Sequence, residues 1–440
     1  MQRRTFLSLI ALPAVAQLLQ SCGDDSVTTV ASTPVNGVQP ASLKGEAARI
    51  AASGTDAVDA SVAINAFSAD LFDRLVAADP VANLVFSPAS IALALAMTSA
   101  GAKGETLTEM DAVLNITDPA TIHRSMNGLS AGLAGLDKEK DNTTDGGTGT
   151  SQVQLSIANS LWGQAGYSFE RAFLDLLSSE YGAGMELVDY AADPEAARVA
   201  INAWVDEQTE QRIPELLPKD SITNDARLTL VNAIYLKANW ASRFDDAATT
   251  NEPFAAPTGE VTVAMMHTTA ELAYGEGDGW RAVEIPYVFY DLSFLLAMGE
   301  TATTPMPTVD EAAGTLIGQL VELGLPKFDI ETSTSLKDVL GSMGMAGAFS
   351  EGADFSGMST EKPGLSIGDV IHQANITIDE EGTEAAAATA VIMVATAAPT
   401  DPPEPVVFTI DQPFTFWLRD TATGTIIFAG RINDPSTTRG

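Results

Sequence analysis

Apolar residues first recur with regular spacing from about residue 59, where Ile64, Phe67, Leu71 and Leu75 share one face of a 3.6-residue period and predict an amphipathic helix. A second helix is expected directly after the apolar run Leu84-Val85-Phe86. Ser87 can cap it, Pro88 suits its first turn, and Gly101 to Gly104 end it. Further on, residues 153–164 (VQLSIANSLWGQ) read as a strand, 169–182 as a helix, and 197–217 as a helix that closes near Pro214. The character then changes. Residues 228–240, 261–277, 281–299, 325–335, 406–420 and 423–433 are strand-like runs rich in Val, Ile, Phe, Tyr and Thr, separated by Gly, Pro, Asn and Asp. Helices dominate the first half and strands the second, which predicts a mixed α+β fold with segregated elements. Between the helical and strand patterns, residues 136–150 are polar and Gly-rich and predict a mobile surface loop.

The extreme N-terminus follows neither pattern. Residues 1–21 join Arg3 and Arg4 to an apolar stretch that holds no acidic group, is broken by Pro13, and is shorter than the about 20 residues a membrane crossing needs. The segment reads as an export signal, and Arg3-Arg4 before Thr5-Phe6-Leu7 resembles the twin-arginine type. Leu19-Gln20-Ser21-Cys22 resembles a bacterial lipobox and contains the only cysteine, so Cys22 is expected to carry lipid and no internal disulfide can form. Residues 22–58, rich in Gly, Ser, Thr, Asp, Ala and Pro without sustained periodicity, predict a flexible tether that leaves 59–440 as the folded domain. The protein is therefore expected to be exported and either lipid-anchored in the cell envelope or extracellular, with the lipid on Cys22 as its only membrane contact.

Charge narrows the choice of partner. With 23 Lys and Arg against 58 Asp and Glu, the net charge of -35 repels nucleic acid and anionic lipid surfaces alike. Hydrophobic residues at 45% and charged residues at only 18% supply a substantial core, so the acidity does not mark a disordered tail. Catalytic chemistry finds little support. Gly128-Leu129-Ser130-Ala131-Gly132 satisfies the GxSxG pattern, but a nucleophile elbow needs a buried strand before the serine, and this stretch is helix-like throughout. The turn-rich residues 141–147 lack the downstream Glu of a calcium loop, and there is no HExxH, paired CxxC or phosphate-binding pattern, so neither metal nor cofactor is expected.

The most informative stretch is 376–393, ITIDEEGTEAAAATAVIM. On an extended chain Thr383, Ala385, Ala387, Thr389, Val391 and Met393 share one uncharged face that starts with small side chains, while Glu384, Ala386, Ala388, Ala390 and Ile392 share the other. Such a segment could slide between two strands with Glu384 left in water, and Gly382 would supply backbone freedom where it turns in. Four successive alanines fit an alanine-rich helix or a linker equally well.

Seven ordered segments resolve that choice by resemblance: NLVFSPASI, LVNAIYLKANW, VAMMH, VEIPY, LPKFDIE, IHQANITIDEEGTEAAAATA and PFTFWLRDTATGTIIFAGRINDP. From about residue 59 to the C-terminus the chain resembles the serpin family. The resemblance implies helices packed on a large central mixed sheet and smaller sheets, with an exposed reactive-centre loop near the C-terminus. It implies that the protein is an inhibitor rather than an enzyme. A monomeric one-use suicide substrate would be cleaved by a serine protease, with cysteine proteases as a second class, and the freed loop would insert into the main sheet and hold the acyl-enzyme in a covalent one-to-one complex. The loop hinge would be Glu380, Glu381, Gly382, Thr383, Glu384, Ala385, Ala386, Ala387 and Ala388. The reactive bond would be Thr396-Ala397, with Ala395-Thr396 as the competing register because the stretch 399–405 is long and Pro-rich. Ser87, Ser90, Asn232 and His372 would form a hydrogen-bonded cluster beneath the opening sheet, with Trp240 where insertion begins. No Lys or Arg lies between Lys362 and Arg419, so small neutral residues would meet an elastase-like or subtilisin-like pocket. A carrier or chaperone on the same fold is the alternative, and such members commonly carry bulky or charged residues or proline in the hinge.

Overall fold

A computed structural model of the chain describes residues 28–31, 41–52, 54–141, 150–209, 211–301, 304–362, 364–383 and 404–437. Two short strands, β1 (Thr28–Ala31) and β2 (Ala41–Lys44), precede helix α1 (Val58–Ala78), which buries the expected stripe of Ile64, Phe67, Leu71 and Leu75. Strand β3 (Leu84–Phe86) leads into α2 (Pro88–Ser99), buried along its whole length and capped by the Ser87 hydroxyl, which accepts from the Ser90 N–H. Then come α3 (Gly104–Val113), α4 (Ile122–Ala134), β4 (Lys138–Asp141), β5 (Thr150–Gln164), α5 (Arg171–Leu176), β6 (Met185–Val188) and α6 (Pro194–Gln208). The strand-rich half supplies β7 (Leu228–Asn239), β8 (Thr250–Ala256), β9 (Gly259–Gly277), β10 (Trp280–Pro286), β11 (Leu292–Gly299), α7 (Val309–Thr315), β12 (Ile317–Pro326) and β13 (Phe328–Ser335). It closes with α8 (Lys337–Leu340), β14 (Val370–Ile378), β15 (Gly382–Thr383), β16 (Val406–Thr409), β17 (Phe414–Asp420) and β18 (Ile426–Ile432).

The strands form two sheets. The main sheet runs β1-β2-β6-β5-β7-β15-β14-β13 with β4 beside β5, and the second runs β16-β12-β9-β10-β11-β17-β18-β3 with β8 beside β9. Helix α2 packs on β5 and β7 from below and on β18 of the second sheet, and its residues join the large apolar core. On the opposite face of the main sheet, α6 buries Ala197, Ala200, Ile201 and Val205 against Trp162, Val231 and Ala233 in a separate smaller core. The sheet is thus packed on both faces.

Three expectations change. Helix α6 ends at Gln208 rather than near Pro214, because the chain turns at once: the Thr209 hydroxyl accepts the Ile213 N–H and Gln211 adopts φ +65°. The start of the polar stretch 136–150 is a strand, with Lys138–Asp141 paired antiparallel to residues 150–153 of β5. Nor is all of the segment 22–58 a tether. Ala41–Leu43 pair with Met185–Leu187 of β6 at the sheet edge, and the chain beyond them is strapped down. The Gly45 N–H donates to Ser178 Oγ (2.9 Å) and the Ile50 N–H to the Ser179 carbonyl (2.8 Å), while Asn127 and Arg124 of α4 donate to the carbonyls of Ile50 and Ala51. Every partner is distant in sequence, so no local periodicity announces the docking.

Candidate functional site

The site is an incomplete seam in the main sheet. Strands β7 and β14 run parallel and pair only from Leu230–Val370 to Ile234–Ala374. Beyond that they separate, and at the far end the two-residue strand β15 fills the gap, Gly382 opposite Asn239 and Thr383 opposite Ala238 on one side, Thr383 opposite Ile378 on the other. Between these paired ends, Tyr235–Lys237 and Asn375–Thr377 keep their ladders to β5 and β13 but have no ladder partner on the seam side among the described residues. Asn375 Nδ2 at this level, and Gln373 Oε1 beside the last paired positions, are buried and have no hydrogen-bond partner among those residues. Buried polar groups are rarely left so, and that of Asn375 stands where the sheet lacks a strand.

Below the seam lies a buried polar cluster. His372 and Asn232 are register partners across β14 and β7, and the His372 Nδ1–H donates to Asn232 Oδ1 (2.5 Å). The Asn232 amide in turn donates to Ser90 Oγ (2.5 Å) and to Asn159 Oδ1 of β5 (2.6 Å). His372 Nε2 accepts the Ser87 N–H (3.0 Å), and the Ser87 hydroxyl donates to the Ile427 carbonyl of the second sheet (2.6 Å). With one ring nitrogen donating and the other accepting, the imidazole is neutral, and burial pulls its pKa down to about 3. The cluster ties the parting strands to α2 through hydrogen bonds that water cannot reach. The sequence points to Ser87, Ser90, Asn232 and His372; the structure adds Asn159, which no local pattern sets apart from Gln154, Ser156 and Ser160 on the same strand.

Above the seam the hinge is held in place. Trp240 stacks on Tyr287 with centroids 4.5 Å apart, its indole N–H donates to the Asp379 carbonyl (2.9 Å), and its backbone N–H donates to the Glu381 carbonyl (2.9 Å). Tyr287 is fully buried and its hydroxyl shares a hydrogen bond with the Thr383 hydroxyl (2.6 Å), so Thr383 is 2% exposed and points into the core. Gly382 has φ +150°, and a Cβ there would lie 2.0 Å from the Ala238 carbonyl oxygen, so glycine is required both by conformation and by space. Glu380 accepts from Lys327 Nζ (2.6 Å) and the Thr249 hydroxyl (2.7 Å). Burial acts to raise its pKa, but these two donors outweigh it and hold the carboxyl below its ordinary value. Burial raises the pKa of Glu381 despite the Arg243 guanidinium 2.6 Å away. Tyr287 and Lys327 lie in the segments VEIPY and LPKFDIE, but nothing in the sequence ties them, or Arg243 and Thr249, to the hinge; the fold alone joins them to it.

Glu384 to Ala388, both versions of the reactive bond (Ala395, Thr396, Ala397) and Cys22 lie outside the described residues. The GxSxG serine, Ser130, sits on α4, where its hydroxyl accepts from Arg49 (3.2 Å), and His123 two turns earlier is bonded to Tyr181.

Comparison with known proteins fits this architecture. The family model described as Serpin (serine protease inhibitor) matches residues 62–435. An uncharacterized serpin-like protein of Thermococcus kodakarensis is 39% identical over 380 residues, covering 85% of each chain. The leukocyte elastase inhibitor of Homo sapiens is 35% identical over 389 residues, covering 84% of this chain and 97% of the relative. Among solved structures, the thermophilic serpin tengpin in its native state superposes with a TM-score of 0.74 at 25% identity, covering 88% of this chain and 97% of that one. The chain belongs to the serpin family.

Proposed function

We propose that the protein inhibits serine proteases by offering residues 384–403 as a one-use bait. A protease attacks the bond Thr396-Ala397, with Ala395-Thr396 as the neighbouring alternative. The freed segment then enters the seam as a new central strand and carries the acyl-enzyme with it in a covalent one-to-one complex. The observation that carries this reading is β15, two residues already paired with both flanking strands in the uncleaved chain. Extending its register sets Ala385 beside Leu236, Ala387 beside Ile234 and Thr389 between Asn232 and His372, so every inward-facing newcomer is small down to the cluster. Small neutral residues around the bond, and a relative that is a leukocyte elastase inhibitor, favour elastase-like or subtilisin-like targets. Incubation with pancreatic elastase and with subtilisin should give an SDS-resistant complex of the summed mass less the released C-terminal fragment 397–440. Cleavage of the loop with undiminished protease activity would overturn the reading and leave a non-inhibitory binding protein.

The same proposal sets the inhibitor at the cell envelope, lipid-anchored through Cys22 after removal of residues 1–21. Among the described residues no helix is long and apolar enough to cross a membrane. Cys22→Ser should move the protein from the membrane pellet to the soluble fraction, and an unchanged distribution would remove the anchor from the account.

A further inference from the structure

Leu43 of β2, Met185 of β6, Leu161 of β5, Leu230 of β7 and Val370 of β14 form one row of register partners, and Leu230–Val370 is the last pair at the closed end of the seam. A strand admitted between β7 and β14 at that level widens the sheet by about 4.8 Å. Strands β13 and β14 are held to the second sheet at its β3 edge, where the Thr332 hydroxyl accepts the Val85 N–H (3.0 Å) and His372 accepts the Ser87 N–H. Past the other end of β7, Trp240 bridges Tyr287 and the Ala241 N–H donates to the Pro286 carbonyl (2.9 Å) of β10. The half made of β7, β5, β6 and β2 therefore swings outward about its Trp240 end, and the row of Leu43 moves.

We infer that residues 41–52 are a restraint that keeps this row closed by tying the moving half of the sheet to the body behind it. The segment pairs with β6 through Ala41–Leu43 and continues over α5 and the turn that leads into β6. There the Gly45 N–H donates to Ser178 Oγ (2.9 Å), the Glu46 N–H to Asp175 Oδ1 (2.9 Å) and the Ile50 N–H to the Ser179 carbonyl (2.8 Å), while the Glu46 carboxylate pairs with Arg171. The fit is close: a Cβ on Gly45 would lie 2.5 Å from the Leu174 carbonyl oxygen. A second set of bonds runs to α4. Arg49 donates to Asn127 Oδ1 (3.1 Å) and Ser130 Oγ (3.2 Å), Asn127 donates to the Ile50 carbonyl (2.9 Å), and Arg124 to the Ala51 carbonyl (2.8 Å). Asn127 is fully buried and gives its other N–H to Glu180 Oε2 (3.1 Å), so every polar atom of its side chain is committed to this junction. Helix α4 packs on α1, and α1 is bonded to the second sheet: Ser61 shares a hydrogen bond with Thr425 (2.6 Å), and Asn65 bonds the Gly424 carbonyl (2.9 Å) and the Ile426 N–H (3.0 Å). The two sets of bonds cannot both keep their lengths while β6 moves by a strand's width, since such bonds fail beyond about 3.5 Å. Parting Leu230 from Val370 therefore breaks one of them. This inference rests on the ladders and holds whether or not the loop traps a protease; in an inhibitor, the restraint adds to the barrier that an entering strand meets.

The test is hydrogen–deuterium exchange of the intact, uncleaved protein. Arg49→Ala, at an exposed position, removes two bonds to α4, and Gly45→Val forces the segment away from Leu174. Each should speed exchange in peptides covering 230–234 and 370–374 by roughly 5- to 20-fold, Gly45→Val more than Arg49→Ala, while peptides from β9 and β12 exchange as in the parent. Arg49→Lys, which keeps the charge without the forked donors, should fall between parent and Arg49→Ala. Unchanged exchange in the two seam peptides would overturn the restraint. So would acceleration confined to Ala41–Leu43 and Met185–Leu187, which is fraying of the edge alone, or an equal rise in both sheets, which is general loss of stability. None of these outcomes bears on the inhibitory reading, which the covalent complex with protease decides separately.

Discussion

Thr383→Arg is expected to convert the inhibitor into a substrate. The position is 2% exposed, its hydroxyl is hydrogen-bonded to Tyr287, and its neighbours across the two ladders are Ala238 and Ile378, both buried. A guanidinium cannot stay there without a partner, since desolvating an unpaired charge costs several kcal/mol, so the seed strand is expelled. Insertion must then begin from an unpaired chain and bury the charge as its first step. A barrier raised by about 3 kcal/mol slows that step by roughly 100-fold. Hydrolysis of the acyl-enzyme wins, and the protease leaves with the loop cut. The measurement is the ratio of covalent complex to cleaved inhibitor on SDS gels, which should fall from predominantly complex to predominantly cleaved. Thr383→Ser, which keeps the hydroxyl for Tyr287, should retain the complex. If Thr383→Arg trapped protease as well as the parent, the buried seed would have no part in the mechanism.

That prediction could be framed from the sequence, but its strongest argument could not. Alternation along 383–393 marks which face is small, and the stripe of α1 or the cap of α2 can be read locally because each depends on residues within a few turns of one another. The Tyr287 hydroxyl beside Thr383 joins residues 96 apart, and Lys327 joins Glu380 across 53. Such contacts leave no periodic trace, because any donor of suitable length at the end of any strand would satisfy the same local pattern. The docking of residues 41–52 was hidden for the same reason. A four-residue strand is too short to show alternation, and the groups that hold the following segment come from α4 and from the turns after α5. Asn159 is a case of the same kind: it is one of several polar residues on its strand, beside Gln154, Ser156 and Ser160, and its partners Ser90 and Asn232 are fixed only by how α2 lies under β5 and β7.

The second large effect is expected at His372, and it depends on pH. His372→Ala leaves the Ser87 N–H and Asn232 Oδ1 without their partners in a site that is completely buried. Each orphaned group costs about 1–3 kcal/mol, and the vacated ring volume adds to the loss, so the variant should be less stable by roughly 3–6 kcal/mol at pH 7. The sheet, no longer tied through Asn232 to α2, should also open more readily and aggregate on mild heating. The pH dependence follows from the depressed pKa. The unfolded chain takes up a proton on His372 near pH 6.5, whereas the folded site refuses it until about pH 3. The histidine's contribution is therefore complete above pH 6.5 and is lost progressively as pH falls toward 3, by about 3 kcal/mol between pH 7 and pH 4. His123, lowered by burial to about 4, titrates in the same direction but is present in both proteins and drops out of the comparison. Urea unfolding of parent and variant at the two pH values should show the stability gap narrowing by that amount. His372→Gln, which keeps one donor and one acceptor, should lose less at pH 7 and show the same flattened pH response. A gap between parent and variants that stays constant from pH 7 to pH 4 would mean that His372 does not carry the neutral, doubly bonded state on which the closed sheet depends.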